Sequence, residues 1–376
     1  MKKLIAISMG IIFFMSSISG VKADEKQDQV PKQNISVSRV SGWDRYETAV
    51  NANKKYMNQA NGNLAVIASG NDFKTALYAS YMASALKVPY FVNPSHGMRS
   101  DILNELNRLK VKRVYVLGDY SKLDKSIDNT LLSRGIRVER IDDNNKYCNI
   151  HGSCDEMSLD GYIDTVIFET LHKGENRGDI GNVIYINDNK FPDLLSAVPF
   201  VAKTSAVQAT ALFGIDDLSD MWLGENEYAV FSNRFIIGGY ESVPEEYRVR
   251  DYFYGAEFEN RLMVDDEETY EPYRTWGRIS GKNRYQTAVE IAKAYKIVLH
   301  QDINTVVLVN GQDYPDALSS SLIASQNNAA VLLTEPNKLN EDTEKYIREN
   351  NIKNVIIVGG ERSVSKDVEN KLKNFN

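Results

Sequence analysis

Cys148, His151 and Cys154 form the densest group of metal-ligating side chains in the 376-residue sequence, lying together in C-N-I-H-G-S-C. Two thiolates and one imidazole supply three ligands, whereas a structural zinc site wants four. The spacing therefore favours a small disulfide loop between Cys148 and Cys154 over free thiols, with metal behind both. His96, His172 and His300 are the other histidines, and none recurs in a repeated motif. Carboxylates do recur, Asp72 with Asp313 and Asp193 with Asp316. Each stands in a loop before a helix, where a carboxylate more often caps backbone N–H groups than transfers protons. No G-x-S-x-G, H-E-x-x-H, G-x-x-x-x-G-K or G-x-G-x-x-G occurs. Nucleophilic, zinc-hydrolytic and nucleotide chemistry thus lack their residues, so an enzyme is disfavoured and no cofactor is expected.

The recurring polar residues belong to an internal repeat. Arg39 to Val50 (R-V-S-G-W-D-R-Y-E-T-A-V) and Arg278 to Val289 (R-I-S-G-K-N-R-Y-Q-T-A-V) are identical at eight of twelve positions. Ser69-Gly70-Asn71-Asp72 parallels Asn310-Gly311-Gln312-Asp313, and Val116-Leu117-Gly118-Asp119 parallels Ile357-Val358-Gly359-Gly360. A worn copy lies between. Arg140 and Lys146 keep the spacing of Arg278 and Arg284, Phe191-Pro192-Asp193 matches Tyr314-Pro315-Asp316, and Ile236 to Gly239 matches Ile357 to Gly360.

Within a unit, Tyr285, Ala288, Val289 and Ala292 share one helical face, while Thr305 to Val309, Ala330 to Leu333 and Asn354 to Val358 read as buried strands. Helices are expected from Asp316 to Gln326, from the cap Asn340 to Arg348, and from Ser365 to Leu372. Unbroken apolar strands alternating with helices make each unit a small doubly wound α/β domain with a parallel sheet, Rossmann-like in outline. The expected division is a signal peptide at 1–23, a polar leader at 24–35, and repeats at 36–138, 139–249 and 277–376. The middle repeat carries an insertion at 149–182, and an acidic connector fills 250–276, leaving no room for a further effector domain. Polar loops at the strand ends, used three times over, suit a polymer bound at several points, although the same turns also serve the architecture.

The composition, 43% hydrophobic and 25% charged, is that of a folded chain. Lys2-Lys3, the apolar stretch from Leu4 to Ser19 and Val21-Lys22-Ala23 read as an export signal, and no second membrane segment follows. Losing Lys2, Lys3 and Lys22 with it moves the net charge from −7 to −10. An exported acidic protein is a poor reader of nucleic-acid phosphates.

The ordered motifs R-I-S-G-x-x-R-Y-x-T-A, N-G-x-D-x-P-D-A-L, V-L-L and I-I-V-G-G-x-x-S-V of the third repeat resemble the cell-wall-binding repeat type 2 family of Gram-positive exported proteins. The resemblance implies three Toprim-like α/β units in a pseudo-threefold arrangement, anchored non-covalently to an anionic secondary wall polymer. It also places an I-L-L-type binding motif on Val331, Leu332 and Leu333, with Tyr90-Phe91-Val92 and Ala211-Leu212-Phe213 as its departing equivalents. An acidic chain that binds an anionic polymer needs local positive charge. Arg39, Arg45, Arg140, Lys146, Arg278 and Arg284 are the candidates, in preference to a bridging divalent cation. The expected function is a non-catalytic wall-binding protein at the cell surface, with surface-layer or wall enzymes as further partners and no membrane contact after signal cleavage. The rivals are a peptidoglycan hydrolase of the amidase kind or its modulator, and a module that recruits a protein partner through the insertions.

Overall fold

Parallel strands covered on both faces have no solvent side, so they read as near-continuous apolar runs. That is the pattern of Leu64–Ser69, Thr305–Asn310 and Ala330–Thr334, in which every residue is buried. The computed structural model describes residues 34–148, 154–175, 181–214, 233–244, 262–264 and 275–375. The expected signal peptide, nearly all of the polar leader, and most of the 250–276 connector lie outside them.

In chain order the first repeat supplies β1 (Ser36–Val40), α1 (Arg45–Tyr56), β2 (Leu64–Ser69), α2 (Phe73–Leu86), β3 (Tyr90–Asn93), α3 (Ser100–Arg108), β4 (Arg113–Leu117) and α4 (Lys125–Ser133). The second supplies β5 (Arg137–Ile141), β6 (Asn145–Cys148), β7 (Cys154–Met157), α5 (Leu159–Leu171), β8 (Asn182–Ile186), α6 (Phe191–Val207), β9 (Thr210–Gly214) and β10 (Asn233–Ile237). After β11 (Leu262–Val264), the third supplies β12 (Thr275–Ile279), α7 (Arg284–Leu299), β13 (Thr305–Asn310), α8 (Ser320–Gln326), β14 (Ala330–Thr334), α9 (Glu341–Glu349), β15 (Asn354–Val358) and α10 (Lys366–Lys373). A 3-10 turn over Pro315–Ser319 leads into α8 in place of a uniform helix from Asp316.

The sheets do not follow the repeats. Their orders are β3-β2-β4-β5, β11-β12-β10-β8-β9 and β1-β15-β13-β14. The strand that opens each repeat therefore completes the sheet of another: β5 pairs with β4, β12 with β10, and β1 with β15, all parallel. The first of the three strands thus closes the tandem into a ring. Only β11, antiparallel to β12, departs from the parallel pattern within the three large sheets.

The ring has a common centre. Helices α2, α6 and α8 pack on one another. Phe73, Phe191 and Tyr314, which occupy the same position in the three repeats, meet there with ring centroids 5.5 to 6.2 Å apart. The architecture is three doubly wound α/β units related by a pseudo-threefold axis.

One local motif explains itself. Asp44 and Asn283 cap α1 and α7 by accepting from Glu47 N–H (2.7 Å) and from Tyr285 and Gln286 N–H (3.0 Å each). Glu47 and Gln286 reach back to the N–H of Trp43 (2.7 Å) and Lys282 (2.9 Å), so both helix starts carry a variant of the capping box that bonds the residue before the cap. A Cβ on Gly42 would lie 2.6 Å from Glu47, and one on Gly281 2.2 Å from Gln286, which excludes any side chain at the S-G turn.

The middle repeat departs at this place. Instead of a helix start, Lys146 lies in β6, opposite Glu156 of β7 in a two-stranded hairpin. Cys148 and Cys154 are opposite each other at the end of that hairpin, a backbone register compatible with a bridge.

Candidate functional site at the seams between units

Each seam brings the turn after a unit's last strand against the loop that enters the next repeat. The first arginine of the repeat motif holds these together from inside. Arg39 donates to Gly359 O (2.7 Å) and pairs with Glu369 (2.8 Å). Arg140 donates to Gly118 O (2.5 Å) and pairs with Asp128 (2.6 Å). Arg278, only 2% exposed, donates to Gly238 O (2.8 Å) and Val243 O (3.0 Å). The accepting glycines share a positive φ, 101° at Gly118, 113° at Gly238 and 106° at Gly359, which is why the turn keeps glycine there. Burial without a carboxylate partner among the described residues lowers the Arg278 pKa. The expectation that Arg39, Arg140 and Arg278 offer free positive charge is thus corrected: they clamp one unit to the next.

The second arginine behaves differently. Arg45 donates to Gly70 O (2.5 Å) and Arg284 to Gly311 O (2.6 Å), so each braces the loop after the first strand of its own unit. Neither has an ion-pair partner among the described residues. Both face across a seam, Arg45 acting on Asp316 and Arg284 on Asp193. Arg284 lines a cleft of about 830 Å³ between the second and third units, with Lys190, Lys282, Asp193, Tyr240 and Glu241 around it. A second cleft of about 620 Å³ continues past Tyr240 and Lys282 to Arg278 and Lys293.

Val331, Leu332 and Leu333 are fully buried in β14 between neighbouring elements, so they present no side chain to a ligand. What they fix is the strand end, where Thr334 O accepts the Gly311 N–H at 2.8 Å. The rim carboxylates occupy the crevice beside each unit's central strand, where an open α/β sheet would bind a ligand. Local contacts already fill it: Lys122 pairs with Asp72 (2.7 Å), Ser242 donates to Asp193 (2.8 Å), and the Gly360 N–H reaches Asp316. Among the described residues no group of three His, Cys, Asp or Glu could hold a metal.

Burial raises the pKa of Asp193 and Asp316 above the ordinary carboxylate value. The folded state therefore binds these protons more tightly than the unfolded chain does. Their contribution is lost as pH climbs from the unfolded pKa, near 3.8, through the raised folded values. Asp193→Asn is expected to gain stability over the wild type at pH 7 and little at pH 4. Urea midpoints at the two pH values check the sign.

Sequence reading missed the aromatics of the rim. Trp43 (98% exposed), Tyr120 (52%) and Tyr240 (43%) lie on loops of the three different seams. They occur in x positions of motifs whose other letters drew attention, and so carried no signal as a set.

Fold and seams together define a ring of tandem α/β repeats, each locked to the next by an exchanged strand and a clamping arginine. Residues 39–128 and 278–369 match the family model Cell wall binding domain 2 (CWB2). The N-acetylmuramoyl-L-alanine amidase LytC of Bacillus subtilis (strain 168) is 24% identical over 340 residues, 90% of this chain and 58% of that protein. The Amidase enhancer of the same organism is 43% identical over 98 residues, 26% of this chain and 13% of that protein. Among solved structures, Cwp6 from Clostridium difficile has a TM-score of 0.66 at 16% identity, covering 96% of this chain and 51% of that one. Cwp8 from Clostridium difficile has a TM-score of 0.64 at 18% identity, covering 90% and 51%. The chain thus spans 58% of the amidase and about half of each solved chain, and the structural likeness shows the fold. Two regions that match a cell wall binding domain associate the chain with the cell wall.

Proposed function

We propose that the protein is an exported, non-catalytic anchor that holds to the wall by binding an anionic secondary polymer along the seams. The observation that carries this reading is the cleft between the second and third units. There Lys190, Lys282 and Arg284 outnumber the carboxylates Asp193 and Glu241 at the ring's rim, in a chain whose net charge is −7. Concentrated cations in a cleft attract a polyanion even when the whole molecule is acidic. Of the six cations expected from the motif, Arg45 and Arg284 fit this role, since the clamping arginines are occupied inside. In this reading the Val331–Leu333 strand acts through packing, by setting the loop that Arg284 braces.

Retention on purified walls, with and without their secondary polymer, tests the proposal. Equal retention on polymer-stripped peptidoglycan would sink it. Lys190→Gln with Lys282→Gln is expected to weaken retention on polymer-bearing walls about tenfold at low salt, through the loss of two charge contacts. The salt dependence should shrink with it.

A second reading, an amidase or its modulator, draws on the likeness to the Bacillus subtilis amidase and amidase enhancer. Zymography separates the two: clearing of a wall substrate by the purified chain would favour the enzyme, and enhanced clearing by an added amidase the modulator.

A further inference from the structure

Large aromatic side chains left exposed to water are informative when they recur at one kind of place. Trp43, Tyr120 and Tyr240 are all the exposed large aromatics among the described residues, and there is one at each seam. Tyr120 and Tyr240 follow the clamp glycines Gly118 and Gly238. Each has a guanidinium 4.3 Å from its ring centroid, Arg140 in one case and Arg278 in the other. One ring face is thus fixed from inside and the other is turned to solvent. At the third seam the tyrosine position is Glu361, and Trp43 supplies the aromatic from the opposite side, at the position of Lys282, which lines both clefts of the second seam. Its backbone is held by the capping box through Glu47, so the indole stands on a rigid turn.

The three rings lie on separate seams, and charged and polar side chains share the cleft of Tyr240. Around Tyr240 these are Lys282, Gln286, Glu290 and Lys293. A protein partner would want a contiguous apolar centre, which these single rings do not form. A flat rigid ring with charged neighbours suits the C–H face of a pyranose, whose hydroxyls and charged substituents then meet the surrounding side chains. Three such rings on a ring of repeats suit a ligand that itself repeats.

We propose that Trp43, Tyr120 and Tyr240 are stacking platforms for separate sugar rings along a glycan. The proposal rests on the wall-polymer reading above and names the part of the polymer that the rim grips.

The test uses the full chain, protein-free walls and the soluble secondary polymer released from them. Trp43→Ala, Tyr120→Ala and Tyr240→Ala should each raise the apparent Kd about three- to tenfold, and the triple variant far more. Tyr120→Phe and Tyr240→Phe, which keep the ring, should restore binding. Added polymer should shield wild-type tryptophan emission from iodide, and that shielding should vanish in Trp43→Ala. Wild type retained on polymer-bearing walls alongside an equally retained triple variant and unchanged quenching would overturn the stacking role alone. Wild type not retained on those walls would overturn the polymer reading and this inference with it.

Discussion

A chain that starts at Ser41 is expected to lose the stability of its third unit while the first keeps its own sheet. The strand removed, β1, forms no pair with β2, β3 or β4; its register runs Ser36 with Asn354 through Val40 with Val358 of β15. Without it, Val40 leaves the core, Gly359 O loses the Arg39 guanidinium, and Glu369 loses its 2.8 Å partner. Removing one side of such a part-buried pair together with a core valine costs on the order of 3–5 kcal/mol. The bared edge of β15 is also a template for unwanted pairing. Thermal unfolding should show a new, earlier transition, and aggregation should rise with concentration. A chain starting at Asn34 controls for the preceding residues and should behave as the full protein does.

The same geometry predicts a rescue. In the first unit Leu131 and Ile141 are ten residues apart, across the end of α4 and the whole of β5. Joining Asn376 directly to Ile35 gives Leu372 and Val40 that same spacing, with Ile35 standing where Ile136 stands. A permuted chain that starts at Ser41 and ends with Ile35 to Val40 after Asn376 should recover the stability that truncation removes. If it does not, the strand acts through its connection to α1 and not through its pairing with β15.

Much of one unit is legible in the sequence because its signals are local. The β15 range, Asn354–Val358, the cap Asn340 and the last helix near Ser365 follow from an unbroken apolar run and from polar residues at helix starts. The strand exchange is not legible, because Arg39-Val40 and Arg278-Ile279 stand at the start of their own repeats in the chain. Nothing in local patterning says which sheet an opening strand joins. The arginines show the same limit. Recurrence marked Arg39, Arg140 and Arg278 as important, but only the pairing of β1 with β15, β5 with β4 and β12 with β10 reveals that their partners are another unit's glycines. Phe73 was hidden for a simpler reason: it differs in type from Tyr314, and identity at flanking positions drew the alignment past it. In the middle repeat, the β6–β7 hairpin interrupts the motif, so spacing alone put Lys146 at a helix start that the chain reaches only at Leu159.

Asp164→Ala is expected to be among the most damaging single substitutions, because this α5 residue ties the first unit to the second. Its Oδ1 accepts from the Tyr81 hydroxyl of α2 at 2.8 Å, and its Oδ2 accepts from Leu212 N–H of β9 at 2.7 Å. Tyr81 is also 2.8 Å from the Ser205 hydroxyl of α6, whose backbone carbonyl lies 2.8 Å from His172 Nε2. All four side chains are buried, and burial holds the Tyr81 phenol well above its ordinary pKa, so it remains a donor. Truncating Asp164 leaves the Leu212 N–H without an acceptor in the core, and the cost of such an orphan adds to the lost bonds. A loss of about 3 kcal/mol follows. Tyr81→Phe should cost nearer 1 kcal/mol, since Asp164 keeps Leu212 and only one neutral hydroxyl is lost. In the double variant the two losses should fall short of their sum, because the removed groups contact each other. Urea titrations of the four proteins give this coupling. Strict additivity would mean that the two units are joined at this seam by packing of α2 on α5 and α6, with the carboxyl serving β9 alone.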